Sequence, residues 1–333
     1  MPTDFRLEQL RHWIHQTKPK ARLEPASADA SFRRYFRIFD DESSWIAMDA
    51  PPDKEALTPF IEVGNKLSAV CVNTPHIYRK NLVDGFLLMD DLGDTQYLSR
   101  LNKDSANTLY QDALNALVKI QAADTADLPI YDEKMLNDEL QLMPQWFLRE
   151  HLDIELQACE KEALEDIFQY LIVTITNQPL VFVHRDYHSR NLMVTDKNNP
   201  GVIDYQDAVL GPICYDLASI LRDCYIAWPE ERVSQWVNDF RLMAIDAGLL
   251  AEAISQAEFL RWFDLVGLQR HIKVLGIFAR LSHRDGKASY LDDLPLTLSY
   301  VLSVAARYPE TEALITIFNK YEIPQRVGTV EIA

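Results

Sequence analysis

One polar loop between two apolar strand-like segments carries the clearest chemical signal in the sequence. It lies in the segment VFVHRDYHSRNLMV, residues 181–194, and contains His184, Asp186 and Asn191. A second apolar segment, GVIDY at residues 201–205, ends near Asp204. If this segment pairs with the strand after the loop, Asp204 projects beside the loop. The spacing therefore predicts two carboxylates and one amide at adjoining strand ends.

Two acids and an amide in this arrangement suit phosphoryl transfer. One carboxylate can receive the proton of an attacking hydroxyl, while the other and the amide hold Mg²⁺ against nucleotide phosphates. A lone Asp at a strand end is usually a turn or cap residue, but capping does not explain an Asp–Asn–Asp set. We therefore interpret the set as catalytic. His188 and Arg190 share the loop and either contact substrate or phosphate or face solvent.

The first part of the chain contains the elements of a small β-rich lobe. An amphipathic helix is predicted at about residues 4–16. Short β-type runs follow at residues 22–27, 32–39 and 44–50, then at 76–79 and 85–89 after a second helix. The dipeptide Pro51–Pro52 ends the third run. This pattern predicts five strands in an antiparallel sheet, with one helix between the third and fourth strands.

Helical periodicity dominates the rest of the chain, apart from the strands around the polar loop. It predicts helices at about residues 104–122, 132–149, 156–176, 213–226, 230–247, 251–281 and 292–306. The polar stretch from Met89 to Asp94 follows the fifth strand. We therefore predict an α+β fold of two lobes: residues 1–89, a hinge at 90–94, and residues 95–333. Because lobe interfaces are preferred ligand sites, we expect the active site in the cleft between them.

The composition excludes several classes of protein. The chain has 333 residues, a formal net charge of -17 and 48% hydrophobic residues, which is typical of folded globular proteins. So acidic a chain repels nucleic acids and anionic membranes, and we expect neither as a partner. Four cysteines without a C-x-x-C pair indicate neither a disulfide framework nor structural zinc. With no signal-peptide pattern and no continuous apolar span, we expect a soluble cytoplasmic protein, but the sequence does not indicate its oligomeric state.

The loop motif resembles that of a known superfamily. The pattern H-x-D-x(4)-N, followed by I-D-x(6)-G-x(4)-D-L-A, is similar to that of the aminoglycoside phosphotransferase and choline kinase superfamily, relatives of protein kinases. The lobe plan fits as well, so the resemblance covers nearly all of the chain. It implies a protein-kinase-like fold and a small-molecule kinase that uses ATP and Mg²⁺. The implied roles are a catalytic base for Asp186, Mg²⁺ ligands for Asn191 and Asp204, a loop support for His184 and a loop brace for Asp216.

The resemblance also implies a nucleotide site in the β lobe. A hairpin from Arg22 to Phe39 would cover the nucleotide, and small residues at its tip would offer backbone N–H groups to phosphates. Arginines after the tip are candidate phosphate contacts. The end of the fifth strand would pair with adenine through its backbone. The nucleotide-binding residues are thus expected to be Ser27, Asp29, Ala30, Ser31, Arg33, Arg34, Met89, Asp90 and Asp91.

The third strand departs from the superfamily pattern. Met48 stands where the superfamily normally has a lysine that pairs with the nucleotide phosphates and with an acid on the following helix, for which Glu62 is the candidate. Either a hairpin arginine, Arg33, Arg34 or Arg37, replaces this cation or nucleotide binding is rearranged. A nucleotide-binding pseudokinase is the alternative outside the enzyme class. Retention of the whole Asp–Asn–Asp set argues against it.

Five further segments resemble the anomeric kinases of bacterial cell-wall recycling, which phosphorylate N-acetylmuramate and N-acetylglucosamine at C1. They are ADASFRRYFR at 28–37, MDAPP at 48–52, FLLMDDLG at 86–93, VFVHRDY at 181–187 and WPEER at 228–232. In that group Met-Asp-Ala-Pro in the third strand is usual. The resemblance implies an amino-sugar kinase. An aminoglycoside or choline-type kinase is the alternative, because an acidic surface also attracts cationic substrates.

Candidate substrate contacts come from two places in the chain. Gln206 and Asp207 follow Asp204 and could reach sugar hydroxyls. Arg270 and Lys273 lie in a predicted helix rich in basic residues. They either form a solvated basic stripe or place a cation near the lactyl carboxylate of N-acetylmuramate.

Overall fold

The computed structural model describes residues 4–28, 32–40 and 43–331, and its contacts divide the chain into two compact units. The first unit is Met1–Tyr97 with Asn191–Asp207, and the second is Leu98–Arg190 with Ala208–Ala333. The segment 191–207 groups with the first unit because isolated bridges join Gln96 to Met193 and Asn73 to Gly201. The lobe limits inferred from the sequence, 1–89, 90–94 and 95–333, stay a prediction.

The first unit contains the predicted five-stranded antiparallel sheet. Its strand order is β1-β2-β3-β5-β4, and every neighbouring pair is antiparallel. The strands are β1 Arg22–Ala28, β2 Arg34–Asp40, β3 Ser43–Asp49, β4 Ile77–Asn81 and β5 Phe86–Asp90. Two helices, α1 Phe5–His15 and α2 Leu57–Ala69, belong to the same unit. The expected five strands with one helix between β3 and β4 are therefore confirmed.

Helix α1 covers one face of this sheet. The side chain of Asp4 caps it by accepting a hydrogen bond from the backbone N–H of Leu7 (3.0 Å). Leu10, Trp13 and Ile14 are buried in one cluster with sheet residues such as Phe36, Ile38, Ala47, Phe86 and Leu88. Burial of apolar side chains at helical and strand spacing thus holds the helix on the sheet.

Short strand pairs frame the polar loop. Strand β6 (Leu180–Val183) precedes the loop and pairs antiparallel with β9 (Val209–Pro212) in the second unit. Strand β7 (Leu192–Met193) follows the loop and pairs with β8 (Gly201–Val202) in the first unit. The chain passes between the units at Arg190 and Asn191, inside the loop.

Helices make up most of the second unit. From residue 97 onward they are, in chain order, α3 Tyr97–Arg100, α4 Ala106–Gln121, α5 Glu133–Leu140, a π-helix Met143–His151, α6 Ala158–Thr176, α7 Tyr215–Leu221, α8 Glu230–Asp246, α9 Gln256–Asp285, α10 Leu294–Ala305, α11 Glu312–Lys320 and α12 Ile323–Val327, with 3-10 turns at Ala288–Asp293 and Pro309–Thr311. Within the described residues no helix is both long and apolar enough to span a membrane.

The predicted single helix at 132–149 is wrong, because two helices occupy this stretch. Pro144 has no N–H to donate to the carbonyl of Leu140, so the α-helical hydrogen-bond ladder breaks there. The π-helix that follows packs closely on α9 at Gly276. A Cβ at this glycine would lie 2.3 Å from the carbonyl carbon of Leu142, so the close approach requires glycine.

Candidate active site

A buried carboxylate braces the start of the polar loop. Asp216 lies in the first turn of α7 and is fully buried. It accepts hydrogen bonds from the backbone N–H groups of His184 (2.6 Å) and Arg185 (2.9 Å). Arg185 has a left-handed φ of 76°, which costs a non-glycine residue roughly 1–2 kcal/mol. The two hydrogen bonds therefore hold a backbone turn that the residue would otherwise avoid.

Asp186 follows this turn and is half-buried. Its backbone N–H donates to Nδ1 of the fully buried His184 (3.3 Å), so His184 supports the loop from inside. Burial raises the pKa of the Asp186 carboxyl, but the fields of His188 and Lys273 outweigh burial and hold this pKa below its usual value. Asp186 is therefore a carboxylate at neutral pH, which is the state that a proton acceptor needs.

A second buried carboxylate, Asp223, braces the other end of the loop. It accepts hydrogen bonds from the backbone N–H of Ser189 (2.9 Å) and of Tyr225 (3.2 Å). Between the two braces, the Tyr187 hydroxyl donates to the carbonyl of Ala113 in α4 (2.8 Å). The sequence analysis did not predict Asp223. The one signal in the sequence was that this charged residue lies next to an apolar stretch. The loop is thus fixed at both ends within the second unit.

In the first unit, Asn191 and Asp204 lie side by side. The strands β7 and β8 pair as expected, and the backbone N–H of Ile203 donates to the carbonyl of Asn191 (3.1 Å). This pairing brings Nδ2 of Asn191 to 3.4 Å from Oδ2 of Asp204. Asp204 itself has a left-handed φ of 62°. A carboxylate and an amide therefore meet where the sequence predicted the metal ligands.

The Asn191–Asp204 pair fits Mg²⁺. Both side chains can offer hard oxygen ligands, and Mg²⁺ is commonly held by one or two carboxylates together with water and substrate phosphates. No group of three or more His, Cys, Asp or Glu side chains forms a metal cage within the described residues. An ion held by these two side chains would take its other ligands from water and nucleotide phosphates. Asp204 stays half-buried and accessible to such a ligand.

The predicted substrate residues Gln206 and Asp207 follow Asp204 in the chain, but only Gln206 donates a hydrogen bond to the Asp204 carboxylate. The Gln206 amide donates to Asp204 Oδ1 (3.0 Å) and to Asp207 Oδ2 (2.9 Å). Gln206 is half-buried, whereas Asp207 is exposed. The amide therefore orients the Asp204 carboxylate, and contact of these two residues with a sugar stays a prediction.

Two of the three hairpin arginines are held by carboxylates. Arg34 pairs with Asp4 and with the fully buried Asp49, where Nε lies 3.0 Å from Oδ2. Arg37 pairs with Asp91, with Nε 2.7 Å from Oδ2. These ion pairs connect the sheet to the start of α1 and to the segment after β5. They commit both arginines to structural contacts.

Arg33 differs from its neighbours. It precedes β2 rather than lying within it. Its side chain is 9% exposed, and its guanidinium lies 3.9 Å from Oδ1 of Asp204. Met48 is fully buried in β3, whereas Glu62 is exposed on α2, so Glu62 is not a buried acid that requires a lysine partner. Of the hairpin arginines, Arg33 is therefore the one whose guanidinium lies near Asp204, a predicted metal ligand.

Helix α2 also fixes the Asp204 segment. The ring of Tyr205 stacks on Phe60 with ring centroids 4.7 Å apart. Gly64 makes room for this ring, because a Cβ there would lie 2.9 Å from the Tyr205 hydroxyl oxygen. The residue after Asp204 is therefore packed on a helix, which restricts the backbone of Asp204.

The remaining predicted nucleotide residues are Ser27, the hairpin tip at 29–31 and the segment from Met89 to Asp91. Asp29, Ala30 and Ser31 lie outside the described residues, and Ser27 belongs to β1. Met89 is buried in β5. The backbone N–H of Asp90 donates to the carbonyl of His76 (3.0 Å), so this group is already used within the sheet. Adenine pairing by the segment from Met89 to Asp91 stays a prediction.

Arg270 and Lys273 of α9 do not belong to a solvated basic stripe. Arg270 is 6% exposed, and the side chain of Lys273 is 13% exposed. The Lys273 ammonium donates to Glu139 (2.8 Å) and to the Tyr215 hydroxyl (3.1 Å). Glu139 also accepts from Arg185 (2.6 Å), so Lys273 is tied through one carboxylate to the loop of Asp186. Both residues belong to the interior of the second unit, which also contains Asp186.

Each unit carries residues suited to a part of phosphoryl transfer. The second unit presents an ionised carboxylate on a braced loop, and the first presents a carboxylate–amide pair suited to Mg²⁺. Together with an antiparallel five-stranded sheet and a mostly helical second unit, these parts define the class of protein-kinase-like phosphotransferases.

Comparison with known proteins agrees with this class. The family model described as Phosphotransferase enzyme family matches residues 22–253. A Pseudomonas aeruginosa protein named N-acetylmuramate/N-acetylglucosamine kinase is 43% identical over 94% of this chain and 96% of its own length. A Neisseria meningitidis protein of the same name is 40% identical over 93% of this chain and 94% of its own length. The chain belongs to the phosphotransferase enzyme family.

Solved structures show the same fold at low sequence identity. An ADP-bound aminoglycoside phosphotransferase, APH(2'')-Ib, matches with a TM-score of 0.60 and 15% identity over 90% of this chain and 98% of its own. An ethanolamine kinase of Plasmodium vivax matches with a TM-score of 0.65 and 10% identity over 95% of this chain and 89% of its own. The protein-kinase-like α+β fold predicted from the sequence is confirmed.

Proposed function

We propose that the protein is an ATP-dependent kinase that phosphorylates the C1 hydroxyl of N-acetylmuramate and N-acetylglucosamine in the recycling of bacterial cell wall. The proposed catalytic activity rests on the ionised Asp186 carboxylate, which lies on a loop braced by Asp216. The choice of substrate rests on relatives at 40–43% identity that are named N-acetylmuramate/N-acetylglucosamine kinase. A role that depends on ATP also fits the cytoplasmic location predicted from the sequence.

In the proposed reaction, Asp186 accepts the proton of the sugar hydroxyl. The oxygen attacks the γ-phosphorus of ATP, the bond from that phosphorus to the β–γ bridging oxygen breaks, and ADP leaves with the bond electrons. An anomeric hydroxyl is more acidic than an ordinary alcohol, so a single carboxylate can activate it. A low pKa keeps Asp186 ionised, and the two braces of its loop keep it in position.

Asn191 and Asp204 would hold the metal on the nucleotide side. Mg²⁺ bound there would neutralise charge on the phosphates. Gln206 orients the Asp204 carboxylate, and the packing of Tyr205 restricts its backbone. Arg33 lies close enough to Asp204 to replace the missing lysine of β3 as the phosphate-binding cation.

The charges near Asp186 argue against a kinase for cationic substrates. Arg270 and Lys273 lie in the same unit as Asp186, and each interacts with its carboxylate through the local electric field. A cationic acceptor such as choline or an aminoglycoside would have to approach Asp186 against these two positive charges. A neutral or anionic sugar is favoured instead. Retention of Asp186 with both metal ligands argues against a pseudokinase.

A substrate panel tests the proposal. ATP consumption is measured with N-acetylmuramate, N-acetylglucosamine, glucose, choline and kanamycin. We expect turnover of the two N-acetyl sugars only, because polar groups that bind an N-acetyl group are left unpaired by glucose. Asp186→Asn should lower kcat by about 10²- to 10⁴-fold and still bind Mg-ATP. Asp138→Asn, the same change at an exposed carboxylate, is the control. Turnover of choline or kanamycin alone, or an active Asp186→Asn enzyme, would overturn it.

A further inference from the structure

Arg270 is a buried cation that forms no ion pair with a carboxylate among the described residues. It lies in the middle of α9, and its side chain is 6% exposed. Its one hydrogen bond within the described part of the chain joins NH1 to the sulfur of Cys224 at 3.6 Å. Burial raises the pKa of the Cys224 thiol, so this sulfur is neutral and does not balance the charge.

Other buried cations of the second unit form ion pairs with carboxylates. Arg222 is 1% exposed and pairs with Asp264 at 2.7 Å and with Glu230 at 2.8 Å. Lys273, one turn from Arg270, pairs with Glu139 at 2.8 Å. A buried charge is costly unless it is paired and hydrogen-bonded. Arg270 makes no close ion pair of this kind within the described residues, although the Asp186 and Asp223 carboxylates act on its charge through the local electric field, so a bound anion would complete its pairing.

The position of Arg270 indicates which ligand that is. Its NH1 lies 3.6 Å from the sulfur of Cys224, the residue after Asp223, and Asp223 accepts a hydrogen bond from the backbone N–H of Ser189 in the polar loop. Its charge also acts on the Asp186 carboxylate through the local electric field. Asp186 must contact the hydroxyl that is phosphorylated, so groups around it in the second unit surround the acceptor. The metal ligands Asn191 and Asp204 belong to the first unit. An anion that meets Arg270 is therefore expected to be part of the acceptor.

We propose that Arg270 binds a carboxylate on the acceptor sugar and so determines the preference for a carboxylated over an uncharged amino sugar. This inference rests on the proposed function, under which the carboxylate is the lactyl group of N-acetylmuramate. A guanidinium can bind a carboxylate through two parallel hydrogen bonds, which a lysine cannot do. Of the two basic residues predicted from the sequence for this role, Lys273 is already paired with Glu139, and Arg270 is the one available.

The test combines a change in the protein with a change in the ligand. Values of kcat/KM are measured for N-acetylmuramate, for its uncharged methyl ester and for N-acetylglucosamine, with the wild type and Arg270→Met. In the wild type, the ester should react about 10- to 100-fold less efficiently than the acid. In Arg270→Met the acid should fall to the level of the ester, with N-acetylglucosamine and the KM for ATP unchanged. Arg280→Met, on the same helix, is the control.

Each other outcome contradicts a separate part of the argument. If Arg270→Met lowers kcat equally with all sugars, the residue balances the loop carboxylates instead. If it raises the KM for ATP, its anion is a phosphate. If Arg270→Met does not fold, Arg270→Lys and the wild-type comparison of acid with ester still decide, since equal rates for both ligands refute the proposal. A wild type that phosphorylates no amino sugar refutes the proposed function itself.

Discussion

The brace at Asp216 gives the account its most specific prediction, for the variant Asp216→Asn. The carboxylate accepts two backbone N–H groups, whereas an amide offers one oxygen and would turn its NH₂ toward the other donor. One hydrogen bond to a charged group is worth about 1.5–3 kcal/mol. Its loss would let the left-handed turn at Arg185 relax and move Asp186. Because a misplacement of about 1 Å can cost about 10²-fold, we expect kcat to fall by about 10- to 100-fold.

The Asp216 carboxylate should also determine how kcat of the wild-type enzyme depends on pH. Burial raises the pKa of Asp216 to about 7 against the hydrogen bonds from His184 and Arg185, which lower it. The carboxyl is therefore protonated below that pH and ionised above it, so kcat should rise as the pH increases through about 7. Asp186 has a lowered pKa and stays ionised over this range, so the rise does not report the base. Asp216→Asn resembles the protonated form and should lack the rise.

The assay is kcat against pH for the wild type, Asp216→Asn and the exposed-site control Asp138→Asn, with KM for ATP measured alongside. The KM should not change, because the proposed nucleotide ligands lie in the other unit. A wild-type rate that is flat through neutral pH, or an Asp216→Asn enzyme with the wild-type rate at alkaline pH, would refute the reasoning.

The other predictions concern the phosphate-binding cation, the metal ligand and the packing of α9. Arg33→Met should raise the KM for ATP by about 10- to 100-fold, whereas Arg34→Met should lower thermal stability and leave this KM unchanged; the reverse pattern would exclude Arg33. Asp204→Ala should abolish Mg²⁺-dependent ATP binding in calorimetry, because the neutral amide left beside it cannot offset the metal charge. Gly276→Ala should lower the free energy of unfolding by about 1–3 kcal/mol or more, but Gly267→Ala, in the same helix with no contact under 3.7 Å, should be tolerated; equal denaturation midpoints would contradict this.

Local sequence patterns were sufficient to predict the five-stranded sheet and the polar loop. Alternation and turn residues located all five strands, and the motif spacing located Asp204 beside Asn191 once β7 and β8 paired. These features depend on neighbours along the chain or on one short hairpin. They are the features that sequence periodicity reports.

Features that depend on tertiary packing could not be predicted from local sequence patterns. Periodicity could not show that Arg270 and Lys273 are buried, because a basic stripe and a buried cation have the same spacing. The brace at Asp223 depends on a contact with Ser189, which is distant in sequence. The break near Pro144 was masked by helical periodicity on both sides of it. In each case the deciding contact comes from another element of the fold.

The identity of the product tests the central claim most directly. Purified protein is incubated with Mg-ATP and N-acetylmuramate or N-acetylglucosamine, and the product is examined by phosphorus NMR with proton coupling to locate the phosphorylated carbon. The account predicts a sugar 1-phosphate from both sugars, formed by the wild type and, at a far lower rate, by Asp186→Asn. Phosphorylation at C6, or no phosphorylated sugar from an enzyme that binds ATP, would contradict it.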